Sequence, residues 1–155
     1  MLLVRKLLGG TMENNYINVR MNEIKMTDNE NTVIGTNALA TCVGVILYSE
    51  KHKRAIVAHI ANEPERYFIK MIYLLEMNGL IDSKINYAVI GGYYYNHYEL
   101  FSKLFNLFDS YKETFIPLEY SENDILKDEG LPSVGFVFDA STGKFINSKN
   151  NIKHM

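Results

Sequence analysis

The sequence predicts an α+β fold: a mixed, mostly antiparallel β-sandwich or sheet flanked by two main helices. Three observations lead there. Short β-branched runs are separated by turn residues, two segments carry apolar residues at helical spacing, and successive strands are joined by short polar turns instead of regular crossover helices. The chain has 155 residues, which suits one domain around one core. Apolar residues make up 47% and charged residues 22%, a balance that argues against a disordered chain.

The elements follow in chain order. Tyr16 to Ile24 alternates apolar and polar residues, as a half-buried strand does. Asn29-Glu30-Asn31 reads as a turn, and Thr32-Val33-Ile34 as a short strand ending at Gly35. Cys42 to Tyr48 is continuously apolar and β-branched, hence a buried strand. The polar stretch Ser49 to Arg54 turns the chain, and Ala55 to Ile60 returns as its hairpin partner. Asn62 or Glu63 opens a helix with Pro64 in its first turn and Phe68, Met71, Ile72 and Leu75 on one face. Asn78-Gly79 stops it. Lys84 to Ile90 is a strand running into Gly91-Gly92. Asn96 with Glu99 forms a capping box for a second helix, whose apolar face is Leu100, Phe101, Leu104, Phe105 and Phe108. Phe115 to Leu118, Val134 to Phe138 and Lys144 to Ile146 complete the strands, with Asp139 to Gly143 turning between the last two.

Sixteen Lys and Arg against eighteen Asp and Glu give a net charge of −2, which points to neither nucleic acid nor an anionic membrane as a necessary partner. The densest basic run, Lys51 to Arg54, reads as a solvated turn. A single cysteine excludes an intrachain disulfide and a thiolate zinc cluster, and fits a reducing, cytoplasmic setting. No run is long enough for a membrane span, and charge interrupts Met1 to Leu8 too early for a secretory segment. Residues 1–12 resemble nothing that follows and are expected to be a disordered or non-native leader to a domain at 13–150. Neither a metal nor a cofactor is called for, because no His or carboxylate ligand spacing converges. A monomer is expected.

Cys42 and His59 carry the chemistry. A turn centred between Glu50 and Lys51 sets these two residues directly opposite each other across the hairpin. Their Cβ atoms would then project from one face, about 4.5–5.5 Å apart. A register moved by two keeps them on that face as diagonal neighbours, whereas a shift of one separates them. A thiol of pKa near 8.5 is mostly protonated at neutral pH. An adjacent imidazole can take that proton, hold the thiolate as an ion pair and later protonate a leaving amine. A lone cysteine in a Val-rich strand also serves well as a small buried hydrophobe, so these two residues alone leave both readings open. His52, His97 and His154 fall in a turn, near a helix start and at the terminus, and are read as structural or solvated.

The stretch Gly35-Thr-Asn-Ala-Leu-Ala-Thr-Cys-Val-Gly-Val-Ile-Leu-Tyr48, followed by a polar turn, Ala58-His-Ile and Pro64, resembles the chemoreceptor glutamine deamidases of the CheD family. That family places a Thr six residues before its Cys and a His about seventeen after, and Thr36, Cys42 and His59 match. Asn86 to Gly92 is similar to the family's strand ending in Gly-Gly, and Gly135 to Asp139 with Thr142-Gly143-Lys144 to its closing hairpin. The same Thr, Cys and His arrangement occurs in toxins similar to the cytotoxic necrotizing factors. Where the family has Gly-Ser or Ser-Gly before the Cys, this chain has Ala40-Thr41.

The resemblance implies a protein-glutamine deamidase with Cys42 as nucleophile, His59 as base and acid, and Thr36 orienting His59. Backbone amides around Ala40 and Thr41 would bind the substrate's oxyanion. The implied partner is a protein bearing a reactive glutamine, either a chemoreceptor or a host protein reached by export. Tyr93-Tyr94-Tyr95 after Gly91-Gly92 would suit a peptide-binding rim, and equally an exposed loop. A non-catalytic binding module and another thiol hydrolase or transglutaminase-like acyltransferase are the alternatives.

Overall fold

The computed structural model describes residues 16–91, 98–128 and 130–147. Ten strands, β1 (Tyr16–Asn18), β2 (Ile24–Met26), β3 (Val33–Leu39), β4 (Val43–Ser49), β5 (Arg54–Ile60), β6 (Ile85–Gly91), β7 (Phe115–Pro117), β8 (Leu126–Lys127), β9 (Val134–Asp139) and β10 (Lys144–Ile146), form two sheets. The first runs β1-β3-β9-β10, with β8 also paired to β9; the second runs β2-β5-β4-β6-β7. β1 with β3 and β6 with β7 are parallel, and the other pairs are antiparallel. Among the described residues two α-helices, α1 (Pro64–Met77) and α2 (Tyr98–Asp109), complete the α+β fold that the sequence predicts.

The layers are sheet, sheet, helices. Strand β4 lies in the middle of the second sheet and is buried along its whole length. Its odd-numbered residues Val43, Val45 and Leu47 face α1 and α2, packing with Phe68, Met71, Leu75, Leu104 and Phe108. Its even-numbered Ile46 and Tyr48 face the first sheet, with Ile34, Leu39, Phe136 and Phe138. Burial on both faces is why this strand reads as one unbroken apolar run. Helix α1 ends as predicted: Gly79 takes φ of 66° and the Leu80 amide reaches back to the Leu75 carbonyl at 3.0 Å. In α2, Leu100, Leu104 and Phe108 are buried, while Phe101 is half-buried and Phe105 lies at the exposed rim. Among the described residues no helix is long and apolar enough to cross a membrane.

Three predicted elements differ. The segment from Tyr16 to Ile24 is two short strands in different sheets, because the chain leaves the first sheet after Asn18 and turns at Asn22, with φ of 66°, to enter the second. The strand predicted to end at Gly35 continues to Leu39. Gly35 is compatible with the ladder because any Cβ there would run into the Phe136 carbonyl of β9. The hairpin turn is centred one residue later than expected, between Lys51 and His52, which moves each residue's partner by two: Ser49 pairs with Arg54, and Gly44, not Cys42, faces His59. Lys53 at φ of 54° and a Ser49 Oγ accepting the His52 amide at 3.2 Å close this four-residue loop. The capping box at Asn96, Gly92, the tyrosines 93–95, His97, His154 and the leader at 1–12 lie outside the described residues.

Candidate functional site

The site lies between the two sheets, at the end of the hairpin away from its turn. Thr36 comes from β3 of the first sheet and His59 from β5 of the second. Both are buried, at 0% and 3% exposure. Cys42, also 3% exposed, immediately precedes β4 and packs in the inter-sheet layer with Leu39, Ile46 and Ile90. Gly44 faces His59, so Cys42 is the diagonal neighbour of His59 on the same face. Backbone positions so related are about 7–8 Å apart. The shift by two residues changed their distance and not their face.

Thr36 and His59 are in direct contact, Oγ1 to Nδ1 at 2.7 Å. The hydroxyl also lies 2.6 Å from the Val19 carbonyl. A carbonyl oxygen only accepts, so the single hydroxyl proton goes to Val19. Thr36 Oγ1 must then accept from His59, which places the ring proton on Nδ1. Nε2 carries a bare lone pair, is buried and has no hydrogen-bond partner among the described residues. The turn after β1 fixes the same ring from its backbone: the Asn22 amide donates to the His59 carbonyl at 2.7 Å, and the His59 amide to Glu23 at 3.1 Å.

Burial sets the charge state. It pushes the Cys42 thiol pKa up, against a lowering contribution from the Thr41 side chain. It holds the His59 imidazole below its ordinary value, against the pull of the Val19 carbonyl. Both shifts disfavour charge, so the resting pair is neutral thiol and neutral imidazole. The thiolate–imidazolium pair expected from adjacency is therefore not the ground state; each charge would be desolvated between two sheets.

Two glycines are part of this construction: Gly44, to which the sequence pattern assigns no role, and Gly91, the first of the Gly-Gly pair. A Cβ on Gly44 would sit 2.8 Å from the Phe136 ring, 2.9 Å from Leu39 and 3.4 Å from the Thr36 methyl. Gly44 thus leaves the room in which Thr36 reaches His59. Gly91, with φ of 103°, would bring a Cβ to 2.9 Å from the Cys42 carbonyl. A glycine inside an apolar strand is the one signal that could have found Gly44. Ala40 is half-buried and Thr41 exposed in the turn before Cys42. His52 lies at the other end of the hairpin, 2.8 Å from Asp82, which Lys51 also contacts at 2.8 Å; the basic run is a solvated turn. Among the described residues no three His, Cys, Asp or Glu side chains are grouped to hold a metal. No family model matches the chain, and no curated protein matches it in sequence.

Proposed function

We propose that this chain is a protein-glutamine deamidase with Cys42 as nucleophile. The observation that carries this reading is His59: its Nδ1–H is held by Thr36, and its Nε2 lone pair is bare on the face that bears the only cysteine. This supports His59 as the base half of a thiol–base pair; Cys42 lies on the same face without a hydrogen bond to Nε2, so its sulfur would have to swing toward that nitrogen for attack. Cys42 would lose its proton to His59 Nε2 as its sulfur attacks the carboxamide carbon. The backbone amides of the Ala40–Cys42 turn would hold the oxyanion. His59 would return the proton to departing ammonia, and water would then resolve the thioester to glutamate. Neutral resting partners suit this order, because the charge pair forms only during attack. No metal or cofactor enters the scheme.

The substrate would be a folded or flexible protein segment presenting a glutamine, with a chemoreceptor as the class the resemblance implies. A monomer in the reducing cytoplasm suits a lone reactive thiol. The burial of Cys42 favours a second reading, a protein-binding module that keeps the fold without turnover. A cell lysate treated with the full chain separates the two. The deamidase reading expects glutamine-to-glutamate conversion at defined sites by mass spectrometry, abolished in Cys42→Ser and His59→Ala. Identical spectra for wild type and Cys42→Ser favour the binding module. Incorporation of added primary amine in place of water would assign transglutaminase-like transfer instead.

A further inference from the structure

We propose that Asp128, which bonds to Ala38 across ninety residues of sequence, is a positioning residue for Cys42; the inference rests on the nucleophile reading above. Strand β3 carries a bulge. Thr36 pairs with Phe136 of β9, but the next pair is Leu39 with Val134, so β3 has one residue more than its partner between the two. Such an extra residue reverses which face the following side chain takes. Ile34 and Thr36 face the second sheet; without the bulge Ala38 would follow them inward and Leu39 would face out. With it, Ala38 is exposed and Leu39 is fully buried between the sheets. Leu39 lies under both Gly44 and Gly91, and Gly91 abuts the Cys42 carbonyl. The seat of Leu39 therefore sets where Cys42, three residues later, leads into β4.

The bulge has a cost at one residue. Ala38 takes φ of 60°, a left-handed conformation that a Cβ disfavours. The Asp128 carboxylate supplies a partner there. Its Oδ2 accepts the Ala38 amide at 3.1 Å and the Ser133 hydroxyl at 2.5 Å. The Asp128 amide in turn donates to the Ser133 carbonyl at 3.0 Å, tying the acceptor to the start of β9. Gly135 opposite the bulge admits the crowded backbone: a Cβ there would collide with the Thr36 carbonyl. Asp128 thus anchors the left-handed residue on which the placement of the thiol depends.

The test is the rate of Cys42 alkylation by iodoacetamide in the full chain from neutral to alkaline pH. It compares wild type, Asp128→Ala, Asp128→Asn, Ser133→Ala, His59→Ala and the double variant Ala38→Gly/Asp128→Ala, with urea unfolding run in parallel. A positioning role predicts that Asp128→Ala changes the alkylation rate about 10–100-fold and moves its pH midpoint while the protein remains folded. Asp128→Asn, which keeps an acceptor oxygen, restores the wild-type profile. Ala38→Gly, which removes the left-handed penalty, restores most of it without the carboxylate. Ser133→Ala moves the profile in the same direction by less, and it serves if Asp128→Ala does not fold. A wild-type profile in folded Asp128→Ala, or in Ser133→Ala where the former does not fold, overturns the role of Asp128 alone. A His59→Ala profile identical to wild type overturns the Cys–His pair itself and leaves Asp128 nothing to position.

Discussion

The Thr36 hydroxyl has one proton, and at 2.6 Å from the Val19 carbonyl that proton is committed. The consequence reaches the far side of the imidazole ring, where Nε2 must be unprotonated for His59 to act as a base. Thr36→Val removes this logic with little change of volume. The Nδ1–H would lose its hydroxyl acceptor, and the Val19 carbonyl its hydroxyl donor, both in a buried setting. Unfolding by urea should show a loss of about 1–3 kcal/mol. Deamidation, where a substrate is found, should fall about 100-fold. Thr36→Ser keeps the hydroxyl and should keep most of both. Equal stability for the valine and serine variants would show that the hydrogen bond contributes nothing.

Among the elements, the contact between β3 and β4 decides whether Thr36 can reach across to the second sheet. Gly44→Ala tests it. The added methyl group meets Phe136 and Leu39 below 3 Å and presses on the Thr36 methyl. Overpacking of this kind costs about 1–3 kcal/mol. Thermal unfolding should show the loss, and the His59-dependent part of Cys42 alkylation should fall with it; an unchanged Tm and rate would mean the sheets part freely here. The shared face of Cys42 and His59 was legible from the sequence, since side chains alternate with period two and the register error was even. The register itself was not legible, because it depends on Lys53 adopting a left-handed angle, for which lysine gives no signal. Likewise alternation from Tyr16 to Ile24 reports extended chain, but not that β1 and β2 belong to different sheets. The contribution of Asp128 was illegible for a third reason: it is a contact across ninety residues between a bulge and a loop.

At the scale of the whole molecule, three layers bury the histidine, and that burial makes stability depend on pH. The folded pKa of His59 lies below its ordinary value, chiefly through desolvation. As pH falls through about 6.5, the unfolded chain takes up the proton first. The contribution of His59 is therefore fully present above that pH and is lost as pH falls toward the lower folded value. Urea midpoints measured between neutral and mildly acidic pH should decline more steeply for wild type than for His59→Gln. Parallel curves would place the acid sensitivity elsewhere. The two helices and the continuous apolar strand β4 were legible from periodicity, because each packs a face that its own sequence spells out. The pairing of β3 with β9 was not, since no local pattern names a distant partner.

That distant pairing also orders events in time. The hairpin bearing His59 and leading from Cys42 is local and can close as soon as residue 60 has left the ribosome. Thr36 finds its antiparallel neighbour Phe136 only a hundred residues later. A nascent chain therefore sets Cys42 and His59 on one face well before the strand that orients the ring has its full support. The Thr36–His59 contact gains its full support last, with the closing strands, so an incomplete chain would carry Cys42 and His59 on one face without the hydrogen bond that orients the ring.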